Sequence, residues 1–119
     1  MNFGKRKHFG KIGEDHARAL LKNRGYKILT RNYKTKLGEI DIIALDGDTL
    51  VFVEVKTRFS KSYGKPEEAV GKKKLERIGK VGEIFLRSNP QFPRKLRIDV
   101  VAVTVLKEGV LTSKIIKVI

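Results

Sequence analysis

Two carboxylates, Asp41 in Gly38-Glu39-Ile40-Asp41 and Glu54 in Phe52-Val53-Glu54-Val55-Lys56, lie among Ile, Leu, Val and Phe in runs that read as strands. The segment Asp46-Gly47-Asp48 between them reads as a hairpin turn. The turn decides whether the two acids meet, because directly opposed residues of an antiparallel pair share a face. With Asp46-Gly47 as the two-residue turn, Asp41 falls opposite Phe52 and Glu54 is its diagonal neighbour. With Gly47-Asp48 as the turn, Asp41 falls directly opposite Glu54. A three-residue loop without a bulge sends them to opposite faces, and the Asp-Gly dipeptide favours a two-residue turn. Alternation then places Glu39 on the face of Asp41 and Lys56 on the face of Glu54. One lysine cannot neutralise three acids on a buried face, so the pattern predicts a divalent cation. The simpler reading of the same E-x-K triplet is a solvated Glu54–Lys56 salt bridge.

The charge distribution sharpens this expectation. The chain has 119 residues and a net charge of +14. Residues 1–36 hold eleven basic against two acidic side chains, residues 37–58 two against five, residues 59–97 eleven against four, and residues 98–119 three against two. An acidic island thus lies inside a basic chain. Carboxylates in the middle of an electrostatic nucleic-acid binder repel the phosphates its flanks attract, unless they hold a metal. There is no cysteine and there are only two histidines. Thiolate sites and disulfides are therefore excluded, and oxygen ligands select a hard ion, Mg²⁺ or Mn²⁺. His8 and His16 have neither ligand spacing nor a nucleophilic partner. The expected partner is nucleic acid, DNA or RNA. Lys5, Arg6, Lys7 and Lys11 ahead of the first helix, and Lys72, Lys73 and Lys74 at the start of the second, form its phosphate track. Tyr63, in a loop, is a candidate for stacking on a base.

The elements that position these groups follow from periodicity. Ala17, Leu20 and Leu21 recur at helical spacing between Lys11 and Arg24, with Gly25 as a left-handed cap. Strands are expected at Lys27–Tyr33, Glu39–Asp46, Thr49–Thr57, Arg97–Leu106 and Val110–Val118. A loop covers Phe59–Pro66. A second helix, ending before Asn89, buries Leu75, Ile78, Gly82, Phe85 and Leu86, with Gly79 and Gly82 allowing close approach to the sheet. The order is α-β-β-β-α-β-β, a single α/β domain over residues 1–119 with helices on both faces of a mixed sheet. Ile40, Ile42 and Ala44 are expected on one face of the second strand, and Ile43 and Leu45 on the other. Asp99 next to Arg97 reads as a structural ion pair. No apolar run approaches the roughly 20 residues that span a bilayer. Glu14, Asp15 and His16 stand where a signal peptide needs apolar residues, so no membrane partner and a cytoplasmic location are expected.

The run Gly38-Glu39-Ile40-Asp41 followed by Phe52-Val53-Glu54-Val55-Lys56-Thr57-Arg58 resembles the PD-(D/E)XK nuclease signature, whose restriction-endonuclease-like core has the same element order. Gly10, Gly13-Glu14, Ala17, Gly25-Tyr26, Arg31-Asn32 and Arg97-Ile98-Asp99 extend the likeness, and the chain resembles the YraN family of small bacterial proteins over nearly its whole length. That family is in turn similar to archaeal Holliday-junction resolvases. Ile40 stands where the signature has proline, a position without chemistry.

The resemblance implies that Asp41 and Glu54 are metal ligands and that Lys56 activates water. Glu14 would be the helix carboxylate that approaches the metal, and Arg31 and Arg58 further nucleic-acid contacts. Apart from this, Glu14 reads as an acid favouring the positive end of the helix dipole. The implied activity is Mg²⁺-dependent endonucleolytic hydrolysis of DNA, including branched DNA. The alternative class is a non-catalytic DNA- or RNA-binding module that keeps the fold. Symmetric cutting of a four-way junction calls for a homodimer, and the apolar terminal strand with Ile115, Ile116, Val118 and Ile119 offers an edge for one; otherwise it simply packs on its own core.

Overall fold

The computed structural model describes residues 3–59 and 70–118, the first seven by their backbone. The elements are α1 (Phe3–Asn23), β1 (Lys27–Thr35), β2 (Gly38–Asp46), β3 (Thr49–Phe59), α2 (Lys72–Ser88), β4 (Leu96–Val105) and β5 (Leu111–Lys117). The five strands form one sheet in the order β1-β2-β3-β4-β5. The β3–β4 pair is parallel and the other three are antiparallel. Helix α2 is the crossover that a parallel pair requires. The α/β order and the mixed sheet are those expected from periodicity.

The central strands are apolar on both sides because a helix covers each face. On one face Ala17 and Leu21 of α1 pack with Tyr26, Ile42, Ala44, Val51, Val53, Val101 and Val103. On the other, Ile78, Val81 and Phe85 of α2 pack with Ile40, Ile43, Leu50, Phe52 and Ile98. Gly82 lets α2 approach closely, since a Cβ there would collide with the Phe52 ring. Gly79 has no such role, because a Cβ at that position meets open space. Gly13 does for α1 what Gly82 does for α2: a Cβ would strike the Thr57 hydroxyl.

Helix α1 differs from the expected start at Lys11. Its apolar stripe begins only near Ile12, but the helix continues N-terminally through polar residues to Phe3. Lys5, Arg6 and Lys7 therefore lie within α1 and not ahead of it; their side chains, like the Tyr63 loop, are outside the described residues. The same extension puts Glu14 in mid-helix, away from the positive end of the dipole. At its other end α1 closes in a Schellman arrangement: Tyr26 N–H donates to Leu21 C=O and Gly25 N–H to Lys22 C=O, both at 3.0 Å, with Gly25 at φ 89°. No helix among the described residues is long and apolar enough to cross a membrane.

Candidate functional site

The hairpin register settles how the two acids relate. Asp46 pairs with Thr49 and Ile42 with Val53, so Gly47-Asp48 is the turn. Gly47 at φ 61° occupies the first central position, the glycine-first pattern of a type II′ hairpin. Of the two registers open to a two-residue turn, this is the one that sets Asp41 opposite Glu54.

The ladder stops one step short of that pair. Beyond Ile42–Val53, β2 stays with β1, pairing Ile40 with Tyr33 and Glu39 with Lys34. Strand β3 stays with β4 as far as Phe59–Val105. The alternation of β2 breaks at the same point: Ile42 packs under α1, while Ile40, two residues away, packs under α2 with Ile43. This corrects the expectation that Ile40 shares a face with Ile42 and Ala44. The divergence frees the Val55 N–H, and Asp41 Oδ2 accepts it at 2.7 Å. Sheet geometry, not loop geometry, therefore fixes the Asp41 carboxylate.

Its surroundings are strongly unfavourable for a negative charge. The Asp41 pKa is pushed up to about 7, first by burial and then by Glu54, with Glu14 and Glu39 adding to the rise and the Val55 N–H opposing it. Glu54 is only 5% exposed. Its partner is Lys74 Nζ, at 2.5 Å, from the first turn of α2. The Glu54–Lys56 salt bridge of the simpler reading is not formed. Lys56 is half-buried and has no hydrogen bond or ion pair among the described residues. Lys74 thus serves as a local counter-ion to Glu54, and of the basic cluster at the start of α2 only Lys72 and Lys73 remain unpaired among the described residues.

Glu14 approaches from α1. Its Oε1 is buried without a hydrogen bond and lies 3.4 Å from Arg31 Nη2. Arg31 is committed mainly to Asp15, at 2.6 Å, so it is a partner of helix acids and not a free phosphate contact. Asp41, Glu54, Glu39, Lys74 and Arg77 line one cleft of about 200 Å³. Arg77 was not singled out by sequence reasoning; its signal is the i, i+3 spacing from Lys74, which puts both at one end of the helix. Gly38, at φ 148°, admits the Arg77 side chain, which a Cβ would press against.

Among the described residues, no three acidic or imidazole side chains are gathered tightly enough to hold a metal ion on their own. Two facing carboxylates nevertheless match Mg²⁺, which keeps several waters and uses one or two carboxylates. The excess of acid over counter-charge around Asp41, and a Glu14 Oε1 that is buried with an ion pair but no hydrogen bond, make the donor set fit a hard cation.

The family described as "Uncharacterised protein family UPF0102" matches residues 13–103, the stretch that carries Glu14, Asp41, Glu54 and Lys56. A UPF0102 protein of Syntrophus aciditrophicus (strain SB) is 51% identical over 100 residues, covering 84% of this chain and 79% of the relative. One from Dictyoglomus thermophilum is 45% identical over 103 residues, 87% of either chain. One from Caldicellulosiruptor saccharolyticus is 43% identical over 113 residues, 94% of this chain and 96% of its own. With a family match that runs from α1 into β4 and relatives this similar over most of their length, the chain belongs to the UPF0102 family.

Proposed function

We propose that this protein is a metal-dependent endonuclease acting on nucleic acid, DNA in the first place, in the cytoplasm. The observation that carries the reading is the Asp41–Glu54 pair at the fork of β2 and β3, Glu54 buried and Asp41 partly so, with basic side chains of α2 at its rim. Asp41 and Glu54 would hold Mg²⁺ or Mn²⁺, with Glu14 approaching from α1. Such a cation, when bound, lowers the pKa of a water and takes up charge on a phosphate. The remaining work falls to the chain. The Val55 N–H orients Asp41. Lys56, two residues after Glu54 on the same strand face, stands ready to steady a hydrolytic water or developing charge. Arg77 meets the incoming phosphates, Lys72 and Lys73 extend the basic rim, and Lys74 holds Glu54.

Cleavage of branched, flapped and duplex DNA tests the reading. Wild type cuts at least one of these in Mg²⁺, whereas Glu54→Ala and Asp41→Ala lose about a hundredfold or more in rate while binding persists or tightens. Equal activity in the variants and wild type removes the metal site.

One observation favours a second reading, a non-catalytic DNA- or RNA-binding module: the Lys74–Glu54 ion pair answers one acid without any metal. A junction-resolving form would also need two copies, and the outer edge of β5 is where they would pair.

A further inference from the structure

Helix α2 carries more than the rim of the acidic cleft. Lys73, Arg77, Lys80 and Arg87 are all exposed, and their spacing places them along one side of the helix. The stripe begins at the acidic cleft, where Arg77 is part of the lining. None of the four has an ion pair among the described residues, although Glu76 and Glu83 lie on the same helix. From Lys73 to Arg87 the helix rises about 20 Å. That is roughly six phosphates along one strand of a duplex.

The stripe ends at a second cleft, of about 230 Å³, lined by Leu86, Arg87, Pro90, Phe92 and Arg94. Its wall is preformed. The Phe92 ring lies nearly parallel to Phe85, with centroids 5.7 Å apart and planes at 15°, and Phe85 meets Tyr33 edge-on. The turn is pinned by Asn89, whose Nδ2 donates to Phe85 C=O at 2.9 Å and whose C=O accepts from Phe92 N–H at 3.3 Å. Like the stripe, Arg94 has no ion pair among the described residues. An apolar, aromatic wall flanked by two unpaired guanidiniums suits a flat ring joined to a phosphate. The volume is below the roughly 300–1,000 Å³ of a drug-sized ligand site, enough for one ring system.

We propose that this cleft takes an unpaired nucleotide of a DNA strand guided there by the α2 stripe, the base against Phe92 and the phosphate between Arg87 and Arg94. This rests on the nucleic-acid reading and deepens it. The substrate class becomes a duplex with a single-stranded stretch about six steps from the Asp41–Glu54 pair, because a base inside a continuous duplex offers no free face.

The test is equilibrium binding by fluorescence anisotropy in EDTA, which separates it from cleavage. A blunt duplex is compared with the same duplex bearing a short single-stranded tail, and with one bearing an abasic tail. The base-bearing tail tightens wild-type binding about tenfold. The abasic tail, Phe92→Leu, and Arg87→Ala with Arg94→Ala each bring the preference below about twofold while blunt-duplex binding changes little in Phe92→Leu. The two arginines are exposed, so that variant keeps the fold, which a thermal melt verifies. Equal wild-type binding of blunt and tailed duplex, or a preference that survives the abasic tail or the arginine variant, overturns the cleft proposal and leaves the endonuclease reading to its own assay. Displacement of the tailed DNA by equimolar dAMP would make this a mononucleotide site and equally overturn it. Failure to bind either DNA refutes both.

Discussion

Asp99 and Asp41 are acids of the same sheet, the first fully and the second partly buried, and their surroundings are opposite. Asp99, 0% exposed, has both oxygens answered: Oδ1 accepts from Arg97 Nε at 2.7 Å, and Oδ2 from Tyr26 Oη at 2.7 Å and Arg97 Nη2 at 3.0 Å. Arg97 Nη2 also reaches Asp46 at 2.7 Å, which ties β4 to the end of β2. The same network holds Tyr26 neutral, its pKa pushed to about 12 by burial and by Asp99. Asp41 has one backbone N–H and three acids acting on it. A saturated network fastens strands together, while an unsaturated one retains a cost that a bound cation relieves. Within the acidic island, Asp46 at one end belongs to the saturated Arg97 network, while Asp41 near the other has only the Val55 N–H.

The same substitution should separate the two acids by sign. Asp99→Asn weakens a buried, bidentate pair and lowers the unfolding free energy by about 3 kcal/mol in a urea melt. Asp41→Asn keeps an oxygen for the Val55 N–H and removes a strained charge, so at pH 8 without divalent ions it raises stability by about 2 kcal/mol. Loss of stability in both would mean that Asp41 is as well satisfied as Asp99.

The raised Asp41 pKa should also appear in the pH dependence of stability. Between the ordinary carboxylate value of 3.8 and about 7, the folded chain keeps on Asp41 a proton that the unfolded chain has released. Stability contributed by that proton is complete below 3.8, falls as pH rises through this window, and is gone above about 7, with a slope of up to about 1.4 kcal/mol per pH unit. Tyr26 has the same sign in a different window, losing stability only as pH rises from 10 towards 12. Chemical denaturation from about pH 4 to 8 should show the fall in wild type and not in Asp41→Asn. Mg²⁺ should flatten it if the acids hold a cation. A wild-type profile that rises over this range contradicts the assignment.

What was legible in the sequence divides along the same line. Strands and helices were, because each central strand is apolar on both faces and α2 shows its stripe; so was the Asp99–Arg97 pair, two residues apart on one strand face. The Asp-Gly-Asp turn left two registers open, since either dipeptide can occupy its centre, and only the Asp46–Thr49 pairing chooses between them. The reversal at Asp41 was not legible, because it comes from β2 following β1 while β3 follows β4. Nor was the Lys74–Glu54 pair: it joins a helix to a strand twenty residues earlier, and nearby Lys56 was the better sequence candidate. The early start of α1 was hidden because polar residues at a helix end leave no apolar period.

The smallest effect concerns the basic rim. Lys72 and Lys73 are exposed in the first turn of α2, where the helix dipole already favours an anion, and neither is committed to an acid among the described residues. Lys74 is committed to Glu54, so changing it would disturb the acid pair and confuse the result. Lys72→Glu with Lys73→Glu should weaken binding to every DNA sequence alike, because phosphate contacts position a strand without reading it. The dependence of affinity on salt should flatten by about 0.9 for each phosphate no longer neutralised, close to two for the pair. Titrations across a salt series with two unrelated duplexes measure both quantities. An unchanged slope would take the rim out of the DNA path, and weakening confined to one duplex would mean that these lysines read bases.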